Sequence, residues 1–302
     1  MAGLISSSEW GAALWPGVNA WFGQAYDEHG LEWPDLFDKF SDSRYMVEDI
    51  GTVGLGLPKV KDENAPFEYE GTEQGFKNTY RHIVYGLGMV ITAEVIDDDQ
   101  YGVVGESKAK ALGFSMRQGK EVVGANVYNN AFNSSFTGGD GVEMISASHL
   151  NKSGGTFSNL ASTDLSEAAL EQACIDIMKI KNDKSLNIAV LPQTLILPPD
   201  LIFEAERILK SELRVGVANN DLNALKSTGK FPGGVKVNHY LTDADAWFIR
   251  NNVPNGLKLF ERWPLRFDQD NSFDNNAVKF VAFERYSVGW TDPRAVYGSA
   301  GV

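Results

Sequence analysis

The stretch LPQTLILPPDLIFEAERILKS, residues 191–211, specifies its own local structure more sharply than any other part of this chain. The apolar run from Leu195 to Leu197 reads as the end of a buried strand, and Pro198-Pro199 stops it, because proline cannot donate to a sheet ladder. A helix follows at once. Pro199 fits its first turn, where the missing N–H has no partner to lose, and Asp200 and Glu204 place negative charge near the positive end of the dipole. Leu201, Ala205, Ile208 and Leu209 form one apolar face.

Upstream, DLSEAALEQACIDIMKIK (164–181) predicts another helix, with Asp164 and Glu167 in the spacing of a capping signal and Leu170, Ala173, Cys174, Ile177 and Met178 on one face. A strand at 187–191 comes next, so helix and strand alternate across residues 164–250, the pattern of an α/β lobe. Within it, NNDLNALKSTGKFPGG (219–234) reads as a polar loop. Residues 133–163 are rich in Gly, Ser, Thr and Asn, the composition of a boundary between lobes. Before that boundary, residues 106–132 contain no proline and space Leu112, Met116, Val123 and Val127 as one long helix, against the weakening effect of Gly113, Gly119 and Gly124.

Nearer the N-terminus, residues 47–95 carry short alternating segments around a polar centre at Lys61 to Ala65, the pattern of a long β-hairpin. Its arms have little apolar surface to bury, so it needs a second surface to lie on. Trp10, Trp15, Trp21, Phe22, Trp33, Phe37 and Phe40 fall without clear period in residues 1–46, which read as an extended arm packed on the rest of the chain or on a neighbouring subunit. At the other end, Val278, Phe280, Ala282 and Phe283 alternate with Lys279, Glu284 and Arg285, predicting antiparallel strands turned at Asp274-Asn275-Asn276 and paired with elements before residue 135.

The 302 residues are 43% hydrophobic and 22% charged, the make-up of a soluble globular chain with a substantial core. The N-terminus lacks a basic region before its apolar residues, and no run of 18 apolar residues occurs, so neither secretion nor membrane insertion is expected. Cys174 has no second cysteine to pair with and reads as a core residue in a reducing compartment. A net charge of −13, from 40 acidic and 27 basic side chains, argues against electrostatic capture of nucleic acid and would keep a polyanion from sticking to a wall that encloses it.

Chemistry-bearing motifs are missing from the sequence. His29, His82, His149 and His239 share no metal-ligand spacing, so no metal or cofactor is expected. Asp97-Asp98-Asp99 reads as a solvated turn. Lys226-Ser-Thr-Gly-Lys230 resembles the tail of a phosphate-binding loop, but Ala224 stands where its first glycine belongs and Phe231 where Ser or Thr belongs. Gly54-Leu-Gly56 is too short for a dinucleotide fingerprint, and no nucleophile elbow occurs. A chain with a good core, a long hairpin, an aromatic arm and no constellation for catalysis is expected to act through its surfaces rather than as an enzyme.

The strand, the Pro-Pro helix and the polar loop together resemble the A-domain of tailed-phage major capsid proteins of the Hong Kong 97-type fold. Phe260-Glu261-Arg262, Gly289-Trp290-Thr291-Asp292 and Tyr297-Gly298 look like the terminal segment of Mu-like phage major head subunits. The resemblance implies an α+β fold with an N-terminal arm (1–46), an E-loop hairpin (47–95), a discontinuous P-domain (96–134 and 255–302, its spine helix about 106–132) and an α/β A-domain (135–254). It implies a shell subunit that assembles with itself into hexameric and pentameric capsomers and encloses DNA without reading its sequence. A separate scaffolding protein, a portal, a possible decoration protein and assembly in the bacterial cytoplasm go with that reading. The candidate intersubunit residues are then Trp10, Trp15 and Trp21 in the arm, Lys59, Lys61, Phe67 and Tyr69 in the hairpin, and Lys226 and Lys230 in the polar loop. Lys59, Lys61 and Lys77 are also the lysines open to a hairpin crosslink, but no such chemistry is assigned. Two alternatives carry different expectations: an encapsulin-type cellular shell would show a cargo-docking groove, and a soluble α/β enzyme would show a deep pocket with convergent polar groups.

Overall fold

In the computed structural model, which describes residues 7–28, 30–64, 66–98, 103–213, 222–272 and 277–302, the opening motif folds as its residues dictate. Strand β8 (Pro192–Leu197) stops at Pro198, a single 3-10 turn spans Pro199–Leu201, and helix α6 (Ile202–Lys210) continues from it. Ala205 and Ile208 of α6 are buried, with Leu201 and Leu209 packed partly buried beside them.

β8 belongs to a five-stranded sheet in the order β7 (Leu160–Ala161), β13 (Val296–Ser299), β10 (Trp247–Asn251), β8, β9 (Val235–Val237). It runs antiparallel to β10 and parallel to β9. Both of its faces are covered. Leu195 and Leu197 share a core with Trp247, Ile249, α6 and helix α5 (Glu167–Met178), while Ile196 and Phe248 pack into a second core with Tyr128, Met144 and Val296. A strand buried on both faces has no polar side to alternate with, which is why its sequence is a continuous apolar run. Each such side chain contributes roughly 1.5–3 kcal/mol by leaving water. Cys174 lies in the same core, and burial pushes its thiol up to about 11, so it is a packing residue.

Three expectations for this lobe need correction. The cap of α5 is Ser166, whose side chain accepts from the Ala169 N–H at 3.2 Å, not Asp164, which instead accepts from the Val302 N–H. The polar segment is not all loop: Ala224–Thr228 forms the short helix α7, capped by Asn223 and ended by Gly229 in the left-handed region. Residues 214–221 lie outside the described residues. Finally, the last strand, β13, enters this sheet rather than the one formed by the strands before it, so residues 255–302 are shared between the two sheets.

The second sheet has four strands, in the order β1 (Asp38–Ser41), β11 (Leu257–Ser272), β12 (Ala277–Trp290), β4 (Ile83–Thr92). The C-terminal strands thus pair with elements before residue 135, as their alternation predicts, and the expected turn at 274–276 lies outside the described residues. Helix α4 (Val103–Asn129) lies against one face, close to the expected 106–132. The N-terminal segment is no extended arm. It forms helix α1 (Ser7–Asp27) along α4, then the short α2 (Trp33–Leu36), and Val18, Phe22 and Ala25 are buried against the chain's own core. Gly113 is what permits this packing, because a Cβ there would meet the Phe22 carbonyl oxygen at 2.7 Å.

Strands β2 (Met46–Thr52) and β3 (Gln74–Arg81) form the hairpin; β4 leaves it to join the four-stranded sheet, so the hairpin is shorter than residues 47–95. The remaining elements among the described residues are helix α3 (Ala93–Asp98), the small pair β5 (His149–Leu150) with β6 (Thr156–Phe157), and a 3-10 turn at Pro293–Ala295. No helix among the described residues is long and apolar enough to cross a membrane.

Candidate functional site

The hairpin is held by buried contacts at one end and exposes its other end to solvent. At its base, Asp49 accepts from Thr291 Oγ1 at 2.5 Å and from the buried ammonium of Lys258. Tyr80 is 2.8 Å from the same Thr291 hydroxyl, and Asn78 donates to the Trp290 carbonyl oxygen at 2.8 Å. Tyr80 also stands edge-on to Phe260, with ring centroids 4.8 Å apart. A lysine and a carboxylate paired away from water, with further hydrogen bonds on the carboxylate, resist separation because either partner alone would be a buried unpaired charge.

Beyond Thr52 and Gln74 the two arms make no regular ladder. Val53 donates to the Glu73 carbonyl oxygen at 3.0 Å, Gly56 donates to the Glu70 carboxylate at 2.7 Å, and Lys184 of the middle lobe approaches the same carboxylate at 2.9 Å. These bonds hold the Glu70 carboxyl below its usual range, the Lys184 bond being the largest cause. Lys59 pairs with Glu68 at 2.6 Å, and Lys61 lies 4.9 Å above the Phe67 ring. Val53 is buried, but the ion pairs of Glu68 and Glu70 face solvent, where single pairs contribute little to stability. Tyr69 and Phe67 are 94% and 69% exposed, and Val60 is 96% exposed. Ala65 at the tip lies outside the described residues.

The remaining candidates scatter. The side chains of Trp10 and Trp15 lie outside the described residues, although their backbone belongs to α1. Trp21 is half-buried against Val18 and Ala109 of its own chain. Lys226 donates to the Lys210 carbonyl oxygen at 2.9 Å, and Lys230 stands 3.8 Å from the Met178 sulfur, both on the rim of the middle lobe. The structure therefore brings Lys59, Lys61, Phe67 and Tyr69 together and leaves the others apart.

Two features escaped the sequence reading. A buried charge cluster ties α4 to the four-stranded sheet: Lys120 lies 3.0 Å from Glu284 and 3.2 Å from Glu261, with the Trp33 and Tyr286 rings each 5.0 Å away. Burial pushes the Glu284 carboxyl up against the opposing pull of Lys120; for Glu261 the Lys39 and Lys120 bonds outweigh burial and hold it down. The second is a row of arginines on the sheet. The Arg285, Arg266 and Arg262 guanidiniums lie 5.2, 5.4 and 5.7 Å from the Trp263 ring centroid, and Arg285 and Arg81 each lie 5.6 Å from that of Tyr45. Simple strand alternation does not predict it, because Arg262, Trp263 and Arg266 come together where the β11–β12 register shifts.

Among the described residues no group of three or more His, Cys, Asp or Glu converges as a metal site. Asp98 ends α3 and Asp99 lies outside the described residues, so the Asp97-Asp98-Asp99 turn is not seen whole.

The family described as phage capsid protein matches residues 77–299. No curated protein matches the chain. Among solved structures the chain is similar to a virus-like particle from Pyrococcus furiosus, with a TM-score of 0.55 at 11% identity over 93% of this chain and 97% of that one. It is similar to the mature capsid of bacteriophage PhiM1, with a TM-score of 0.54 at 12% identity over 90% and 87% of the two chains. The capsid of an empty GTA particle gives a TM-score of 0.54 at 11% identity over 89% and 88%.

Proposed function

This chain belongs to the phage capsid protein family and has the Hong Kong 97-type fold, a major capsid protein whose role is structural, and we propose that it builds its shell by a division of labour between regions. The match across residues 77–299 carries the shell role. The division rests on one contrast: the hairpin base is locked to the four-stranded sheet, while its tip exposes Phe67 and Tyr69 to solvent.

In this reading β2, β3 and the segment between them act as the E-loop and lie across a neighbouring subunit; α4 is the spine helix and, with the four-stranded sheet, the P-domain. The middle lobe with its five-stranded sheet is the A-domain, meeting its counterparts at the centre of hexameric and pentameric capsomers. The Pro198-Pro199 junction fixes the angle of α6 in that lobe. Many modest contacts repeated around closed symmetry make a stable shell without any single strong site. A separate scaffolding protein, a portal and assembly in the host cytoplasm before DNA enters belong to the same proposal, as does a decoration protein on the finished shell.

Purified protein, alone and with its scaffolding protein, should form shells, rings or other large symmetric oligomers visible in negative-stain electron microscopy. Sedimentation showing only a 33.2 kDa monomer under varied salt and with scaffold would contradict the proposal. The likeness to the Pyrococcus furiosus virus-like particle keeps a cellular cargo shell as the second reading. Shells that close without scaffold around one discrete protein in fixed proportion would favour that reading.

A further inference from the structure

We propose that the acidic, aromatic tip segment of one subunit's hairpin, residues 62–73, docks on the arginine face of a second copy, formed by Arg81, Arg262, Arg266 and Arg285 around Tyr45 and Trp263. The proposal rests on the shell-subunit reading, which supplies the second copy in a fixed orientation.

Four of the chain's ten arginines gather on this face, in a protein of net charge −13. Among the described residues none of the four makes an ion pair, although Arg250 and Arg294 elsewhere are paired at 2.6 Å with Asp38 and 3.1 Å with Asp183. The acids next to them in the chain are engaged elsewhere: Glu261 pairs with Lys39 and Lys120, and Glu284 with Lys120. Like charges crowded together repel, and stacking on Tyr45 and Trp263 offsets that only in part. Their field reaches inward: burial holds the imidazole of His82 below its ordinary value, Asp42 opposes, and Arg285 and Arg262 push it lower still. Arg81 and Arg266 are exposed, Arg262 and Arg285 half-buried, so the face is open to a partner.

The segment DENAPFEYEGTE (62–73) supplies the complement, with five carboxylates, no lysine or arginine, and Phe67 and Tyr69 held out in solvent; Glu68 and Glu70 are paired with Lys59 and Lys184, and Asp62, Glu63 and Glu73 form no ion pair among the described residues. Aromatic rings suit guanidinium planes, and carboxylates take their N–H groups in pairs. The two surfaces cannot meet within one subunit. Tyr45 and Arg81 flank the hairpin base, whereas the tip lies at the far end of arms about 25 Å long at roughly 3.3 Å per residue, with Glu70 held at Lys184 of the middle lobe. Tip on base between copies is a head-to-tail contact, the kind that generates rings when the rotation closes. The same arginines could instead take a nucleic-acid backbone, but the −13 charge of the surrounding chain disfavours a polyanion and leaves a short acidic peptide as the better occupant.

A charge exchange tests the pairing. Arg81→Glu with Arg266→Glu changes two exposed side chains and should leave the subunit's melting curve as in the wild type while lowering shell yield about tenfold. Glu63→Arg with Glu68→Arg should do the same. All four changes in one chain should restore assembly, and wild-type assembly should weaken as salt rises. The proposal fails if the arginine variant assembles like the wild type, or if the fourfold variant recovers nothing. It also fails if wild-type subunits hold a 20-base-pair DNA duplex that the arginine variant releases while its shells form normally, which would make the face a nucleic-acid site. A wild-type chain that never assembles removes the shell reading itself, and this proposal with it.

Discussion

In the middle lobe Trp247 and Ile249 are wholly enclosed, whereas in the hairpin Val60 and Tyr69 expose 96% and 94% of their surface. Both regions carry large apolar residues. The difference is where the covering surface comes from. The lobe covers its strands with α5, α6 and the second core, all from the same chain. The hairpin has a base bonded to Thr291, Lys258 and Trp290 and a tip bonded to little besides itself. The subunit's own core therefore draws little on the tip.

The sharpest way to break this contrast is to open a cavity in the lobe. Trp247→Ala removes a fully buried indole that donates to the Thr163 carbonyl oxygen at 3.0 Å, and should lower subunit stability by about 3–5 kcal/mol in a denaturant titration. A loss as small as that of a surface change would mean that the lobe does not hold itself together.

A gentler probe sits at the hairpin base. His82 is buried, with its Nδ1 3.1 Å from the Ser287 hydroxyl, and burial keeps it below its ordinary value of 6.5, with the two arginines adding to the shift. An imidazole harder to protonate in the folded chain than in the unfolded one makes stability fall as pH drops through the unfolded value of 6.5. Thermal melting of the wild type should therefore decline between about pH 7 and 5.5 more steeply than that of His82→Gln. Parallel slopes for the two proteins would mean that the base is not a dry, rigid anchor.

The same contrast explains what the sequence disclosed. The Pro-Pro junction and α6 were legible because proline and the 3.6-residue stripe act locally, and the β8 run because a strand covered on both faces needs no polar partner. α4 was legible despite its glycines, of which Gly113 makes room for the Phe22 carbonyl oxygen of α1. α1 itself was missed. Its Val18, Phe22, Ala25 stripe has helical spacing, but the aromatic residues scattered through the segment hid that period. β13 was placed in the wrong sheet because four residues of strand carry no mark of a partner so distant in sequence. The candidate interface residues followed only from the resemblance to capsid subunits, and the arginine face was hidden because its residues meet where the β11–β12 register shifts.

The smallest effect on the subunit should be the largest on the shell. Phe67→Ser with Tyr69→Ser removes two exposed rings from the tip and should change the melting of the isolated subunit by no more than about 0.5 kcal/mol. Counting closed shells of this variant in negative-stain micrographs, beside wild-type protein assembled under the same conditions, tests directly whether the hairpin works between copies. The expected result is a folded subunit with few, incomplete or easily broken shells; shells as numerous and as resistant to mild denaturant as the wild type's would contradict it.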